Sequence, residues 1–370
     1  MKQFLLIISI FCVLQITAFA SVSIKVITDQ AEAVLSILKK KKANKTITDR
    51  DWQKLFSSEG YVRLKKRQES FNRPFEEADF KTFVLSDELV ARTELLEKTL
   101  MNWKKADTLK AAERALKYLP EGSQIKAKIY PVIKPTDNSF VFEVKTDPAI
   151  FLYLDPAVSK EKFENTLAHE LHHIGYGGSC PSAQTKEEIS KLPENTQNAI
   201  GWSGAFGEGL AMLAAAGSPD IHPHAVSSAE ERERWDRDLA NFNEDLRKIE
   251  KFLLDVANGK LNEEEAGKVG FSFFGTQGPW YTVGWKMAVL IEKTYGRGRL
   301  IECICDQRKL LPTYNEAAAK HNKSAKEKLN LWSESLVEKI KTTGETRSIQ
   351  KNDNEKLYDP KLSDGQKLRQ

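Results

Sequence analysis

Residues 149–175 read AIFLYLDPAVSKEKFENTLAHELHHIG. The period of the apolar residues changes midway through this stretch. Ala149–Asp155 is a short apolar run of strand length. From Ser159 the apolar residues recur three and four apart, at Phe163, Leu167, Leu171 and Ile174, which is the pattern of an amphipathic helix. Ser159 is suited to cap that helix and Gly175 to end it. A strand running directly into a helix, with helical sequence before and after, predicts an α+β protein that is mostly helical. The expected form is a small mixed sheet ahead of the helix and a helical C-terminal half.

Three of the six histidines in the chain lie in this helix. At about 100° per residue, with Phe163 set at zero, the apolar stripe stays within about 80°. His169 and His173 then fall near about 240° and 280°, four residues apart on one face. Glu170 falls near about 340°, between that pair and the stripe, and His172 near about 180°. His169 and His173 can offer two imidazole nitrogens to one metal ion. Glu170 is placed to bind a water beside the ion rather than the ion itself. This is the H-E-x-x-H pattern on a helix. Zinc suits neutral imidazole and lowers the pKa of its water, and a nearby glutamate can take the proton. His172 is surplus and reads as a surface histidine or a neighbour of the ligands. An amphipathic helix with a merely polar face is the plainer alternative, but strand, cap and apolar stripe together favour the metal.

A catalytic zinc needs a third protein ligand and one open position. Six residues after His173 stands Ser179, and Tyr176 occupies the position where a glycine would precede a third histidine, so that route is closed. The stretch SGAFGEGLAMLAAAG (203–217) holds a single acid, Glu208. Gly204, Ala205, Gly207, Gly209 and Ala211 would let this segment approach the histidine helix closely. A lone carboxylate on so apolar a helix must be paired with Arg or Lys or bind a metal, and metal ligation accounts for it best. His222 and His224, in an HPH sequence expected to be an exposed loop, are a second source. Glu187, Glu188 and Glu194 are expected in a polar loop.

The chain opens MKQFLLIISIFCVLQITAFA, with Lys2, an apolar run from Phe4 to Ile16 and an A-x-A pattern at Ala18–Ala20. That reads as a secretory signal over residues 1–20 cleaved near Ala20, with a periplasmic or extracellular destination. Residues 21–122 form a helical N-terminal region, 123–345 a catalytic domain, and the polar residues 346–370 a disordered tail. Within the second region IKAKIYPVIKP (125–135) and SFVFEVK (139–145) alternate as strands, separated by turn residues. Pro131 argues that the first of them lies at a sheet edge. Helical sequence resumes at 203–216, 229–257, 280–295, 300–310 and 325–341. The charge is near balance, 56 Lys and Arg against 52 Asp and Glu, which gives no support to nucleic-acid binding. Lys39–Lys42 reads as a solvated helix end. After the signal, no stretch reaches about 18 uninterrupted apolar residues, so no membrane insertion is expected. Of the cysteines beyond the signal, Cys303 and Cys305 are too close to pair without strain. A bond from Cys180 to one of them would leave an odd thiol.

HELHH, followed 35 positions after His173 by the glutamate of GEGLA, resembles the glutamate-zinc peptidases (gluzincins), which include thermolysin and the zinc aminopeptidases. The stretch GPWYTVGWKMAVLIEKTYG (278–296) is similar to a segment of poorly characterised bacterial zinc peptidases. The resemblance implies a zincin-like fold, with His169, His173 and Glu208 as ligands to one zinc per chain and Glu170 as catalytic base. It also implies a Tyr or His donor for the oxyanion. Tyr281, at the start of a helix after GTQGP, is the candidate, with Tyr295 and Tyr314 as alternatives. Two departures stand out. Met212 occupies the position four after the glutamate, where thermolysin-like enzymes carry an aspartate. The G-x-M-E-N run that grips a free amino end in aminopeptidases is missing. The reading is an exported zinc metallopeptidase acting on peptides or proteins. Its alternatives are a zinc amidohydrolase of cell-wall or other amides, and a non-catalytic zinc-containing binding protein.

Overall fold

The computed structural model describes residues 22–72 and 76–341; the expected signal (1–20) and tail (346–370) lie outside the described residues. Four strands form one mixed sheet in the order β1-β2-β4-β3: β1 (Val22–Val26), β2 (Ile125–Val132), β3 (Phe140–Phe142) and β4 (Ala149–Tyr153). β1 and β4 run parallel to β2, and β3 runs antiparallel to β4. The sheet is small against the helices around it, as expected of a mostly helical α+β chain.

β4 is an unbroken apolar run because both of its faces are covered. Ile150 and Leu152 join Ala127 and Ile129 of β2 in the core shared with the histidine helix. On the opposite face Phe151 stacks between Tyr130 and Phe140, at centroid separations of 4.8 and 4.9 Å, with Leu64 of the helix Glu59–Ser70 above them.

Pro131 does not mark an edge, since β2 lies between β1 and β4. Lys128 and Val132 bond toward β4, through Pro148 O and Leu154 N, whereas Ile129 O accepts from Ile27 N on the β1 side. Pro131 therefore points its missing N–H toward the β1 side, beyond the last β1 pairing at Val26–Ile129, where no partner strand needs it.

The N-terminal helices pack on the sheet and on the histidine helix. Asp29–Lys42 buries Val34, Leu35, Ile37 and Leu38, at helical spacing. Its last-turn lysines, Lys39 to Lys42, pair with Glu97, Asp51, Asp87 and Glu94. A second core fills the C-terminal half around Phe206, Leu246, Leu253, Trp280 and Met287. The expected helix 229–257 is broken at Asn241 into Ala229–Ala240 and Phe242–Ala257. Glu187 and Glu188 lie on the helix Ala183–Ser190 and Glu194 begins Glu194–Ser203, so none is in a loop. No helix among the described residues is long and apolar enough to cross a membrane.

Candidate metal centre

The histidine helix spans Lys160–Ser179. Its start is the expected one, with Ser159 Oγ accepting from Lys162 N at 3.1 Å. Its end is not, because the helix continues through Gly175. There a Cβ would lie 2.3 Å from Leu119 Cδ1 and 3.1 Å from Ile125 Cγ1. Gly175 serves close packing against the sheet rather than termination. Beyond the helix, Cys180 is bonded to Cys305, and Cys303 is free and buried.

The glutamate helix (Gly207–Ala216) ends at Gly217, whose φ of 82° is the left-handed cap. Glu208 sits in its first turn and is 2% exposed. Leu210, Leu213 and Ala214 of this helix belong to the C-terminal core and Ala215 to the sheet core, so Glu208 stands at the seam between the two. The tyrosine helix (Pro279–Tyr295) crosses the glutamate helix backbone to backbone. A Cβ on Gly209 would lie 2.0 Å from Trp285 N and 2.5 Å from Tyr281 O, and one on Gly284 would lie 2.6 Å from Phe206 O. The closest approach made by the small residues is thus to the tyrosine helix, not to the histidine helix. Gly207 needs no such room, since nothing lies within 4 Å of a Cβ there.

These three helices bring the side chains together. His169 Nε2 and His173 Nε2 each lie 3.2 Å from Glu208 Oε2 and 3.1 Å from one another. They are the one group among the described residues whose His, Cys, Asp and Glu atoms converge as metal ligands would. Three atoms with lone pairs facing a common point are poorly served by hydrogen bonds alone, since the tautomers supply too few protons. Edges of 3.1–3.2 Å match a tetrahedron with ligands at about 2.0 Å from its centre, which is the zinc–imidazole distance. The donor set fits zinc.

Glu170 is buried on the same helix. The Tyr281 ring stacks on the His169 imidazole at 6.3 Å and 12° between planes. Burial first, then the neighbouring Glu208 carboxylate and the charge of Glu170, push the pKa of its hydroxyl well above the usual tyrosine value. The phenol therefore stays protonated and remains a donor. Tyr295 and Tyr314 lie elsewhere, bonded to Glu316 and to Asn330 O.

His172 is not at the surface. It is 1% exposed, its Nε2 lies 3.3 Å from Tyr118 O, and burial holds its pKa down to about 3. His222 and His224 take no part in the cluster. His222 pairs with Asp236 at 2.9 Å, and His224 is buried against Trp235 rather than exposed.

A protein-family model described as "Putative zinc dependent peptidase (DUF5700)" matches residues 28–323. The chain belongs to DUF5700. Zinc is accordingly its cofactor, and the family description agrees with the His–His–Glu cluster. The match takes in the N-terminal helices as well as the site, and so reaches well beyond the region that resembles gluzincins. Neither the curated proteins nor the solved structures gave a match.

Proposed function

We infer that the protein is an exported metallopeptidase of gluzincin type, in which His169, His173 and Glu208 hold one zinc ion and Glu170 is the general base. The observation that carries this reading is the convergence of two imidazoles and a buried carboxylate, with Tyr281 against both His169 and Glu208. Zinc held there would polarise the scissile carbonyl and acidify the attacking water. Glu170 takes a proton from that water as its oxygen adds to the carbonyl carbon. It then gives the proton to the amine as the C–N bond breaks. The protonated Tyr281 hydroxyl donates to the carbonyl oxygen as that atom gains charge. Residues 123–345 would form the catalytic unit, with an extended peptide as substrate. The signal-like N-terminus and the Cys180–Cys305 bond support an oxidising compartment.

The test is Glu170→Gln, which keeps the shape of the side chain and removes the base. Zinc content should equal that of the wild type while casein hydrolysis falls by about three orders of magnitude or more. Full hydrolysis in that variant would remove Glu170 from the mechanism.

A further inference from the structure

The turn that leads into the tyrosine helix carries an unusual residue. Gln277 has φ of 60°, in the left-handed region that disfavours a non-glycine residue. Its carboxamide Oε1 is buried and has no hydrogen-bond partner. Its Nε2 lies 4.0 Å from Met212 Sδ, a weak acceptor. Backbone strain and an unsatisfied amide thus coincide on one side chain. Both persist because the turn is locked beneath it. Gly278 N donates to Phe274 O at 2.6 Å, and a Cβ on Gly278 would lie 2.8 Å from Phe273 O. The buried Trp280 donates through Nε1 to Gly270 O at 2.8 Å. Strain that the surroundings hold in place clusters at active sites and ligand clamps.

The position of Gln277 points the same way. Met212 follows Glu208 by four residues on the glutamate helix, and Gln277 lies just ahead of the tyrosine helix that carries Tyr281. The Gln277–Met212 contact therefore lies one turn of the glutamate helix along from Glu208. A neutral carboxamide offers one donor and one acceptor in a plane, the same pair that an extended peptide residue presents through its N–H and C=O.

We propose that Gln277 is a substrate-binding residue that hydrogen-bonds the main chain of an extended peptide, one helical turn to the side of the scissile bond. This rests on the peptidase reading above. Because the recognised groups are those of the main chain, binding through Gln277 does not depend on the neighbouring substrate side chain.

The probe is fluorescein-labelled, reduced and carboxymethylated casein, which is unfolded. Its binding is measured by anisotropy on zinc-loaded protein carrying Glu170→Gln, so that hydrolysis plays no part. Adding Gln277→Leu should raise Kd about 10- to 100-fold, the loss of two hydrogen bonds, with zinc content unchanged. With Glu170 present, Gln277→Leu should raise KM for casein by a similar factor and leave kcat within about threefold. Gln277→Gly should weaken binding equally but raise the melting temperature, because glycine relieves the left-handed backbone and removes the orphan oxygen. Unchanged Kd in Gln277→Leu would overturn the proposal, and so would a lowered melting temperature in Gln277→Gly, which would mark a structural role. If the parent protein binds no casein, main-chain recognition is likewise overturned. Failure of the peptidase reading looks different: no zinc-dependent casein hydrolysis whichever residue stands at 277.

Discussion

Gly209→Ala tests the contact that positions the site. The added Cβ would lie 2.0 Å from Trp285 N, whereas ordinary contact begins near 3.4 Å. The difference, 3.4 minus 2.0, requires the glutamate and tyrosine helices to separate by about 1.4 Å. Neither side can yield by rotating a side chain, because the atoms met belong to the backbone of Trp285, Gly284 and Tyr281. Overpacking of this kind costs about 1–3 kcal/mol in ordinary cores and should reach the upper end here. Better helix propensity offsets at most about 1 kcal/mol. A net loss of about 2 kcal/mol should lower the melting temperature by about 4 °C or more. Metal sites tolerate about 0.2 Å of ligand displacement, so moving Glu208 with its helix should weaken zinc binding at least about tenfold. The assay is thermal denaturation with a competitive zinc titration. Gly207→Ala, two residues away in open space, is the control and should melt at the wild-type temperature or higher. If Gly209→Ala melts as high as the wild type with unaltered zinc affinity, the backbone contact does not position the site.

Tyr281→Phe should keep zinc and lower kcat for casein by about 10²–10³-fold, with little change in KM; wild-type kcat would exclude Tyr281 as the donor. His172→Ala should also keep zinc, but should cost about 2–4 kcal/mol in denaturant unfolding, since it opens a cavity and leaves Tyr118 O unpaired. His224 is buried, and burial holds its pKa down to about 4, against about 6.5 when unfolded. The unfolded chain then binds the extra proton between about pH 6.5 and 4, so the His224 contribution is present above that window and lost as pH falls through it. The stability gap between wild type and His224→Gln should therefore narrow by up to about 3 kcal/mol from pH 7 to pH 4; a gap that stays constant would contradict this.

The parts of the site legible in the sequence are those fixed by local chemistry. Ser159, the apolar stripe and the four-residue spacing of His169 and His173 determine one helix and one face, and the structure keeps all three. Glu208 stands out in the sequence as a lone acid on an apolar helix, whereas Tyr281 is singled out by the resemblance, which calls for a donor, together with the glycine-containing turn before it. What the sequence hid depends on partners far along the chain. Gly175 looks like a helix stop, but its role is set by Leu119 and Ile125. Pro131 looks like an edge residue because the length of β1 cannot be read from β2. β1 itself does alternate Val22, Ile24 and Val26 with Ser23 and Lys25, but it is short and follows the expected cleavage site directly. Asn241 breaks a helix whose apolar pattern runs on past it. Gln277 was hidden within GTQGP, where a long polar side chain between two glycines was its only trace.

An anomalous difference map at the zinc edge, from crystals of the zinc-loaded protein, locates the metal directly. A single peak is expected about 2.0–2.2 Å from His169 Nε2, His173 Nε2 and a Glu208 carboxylate oxygen. A peak at His222 and Asp236, or none among those three side chains, would contradict that ligand assignment.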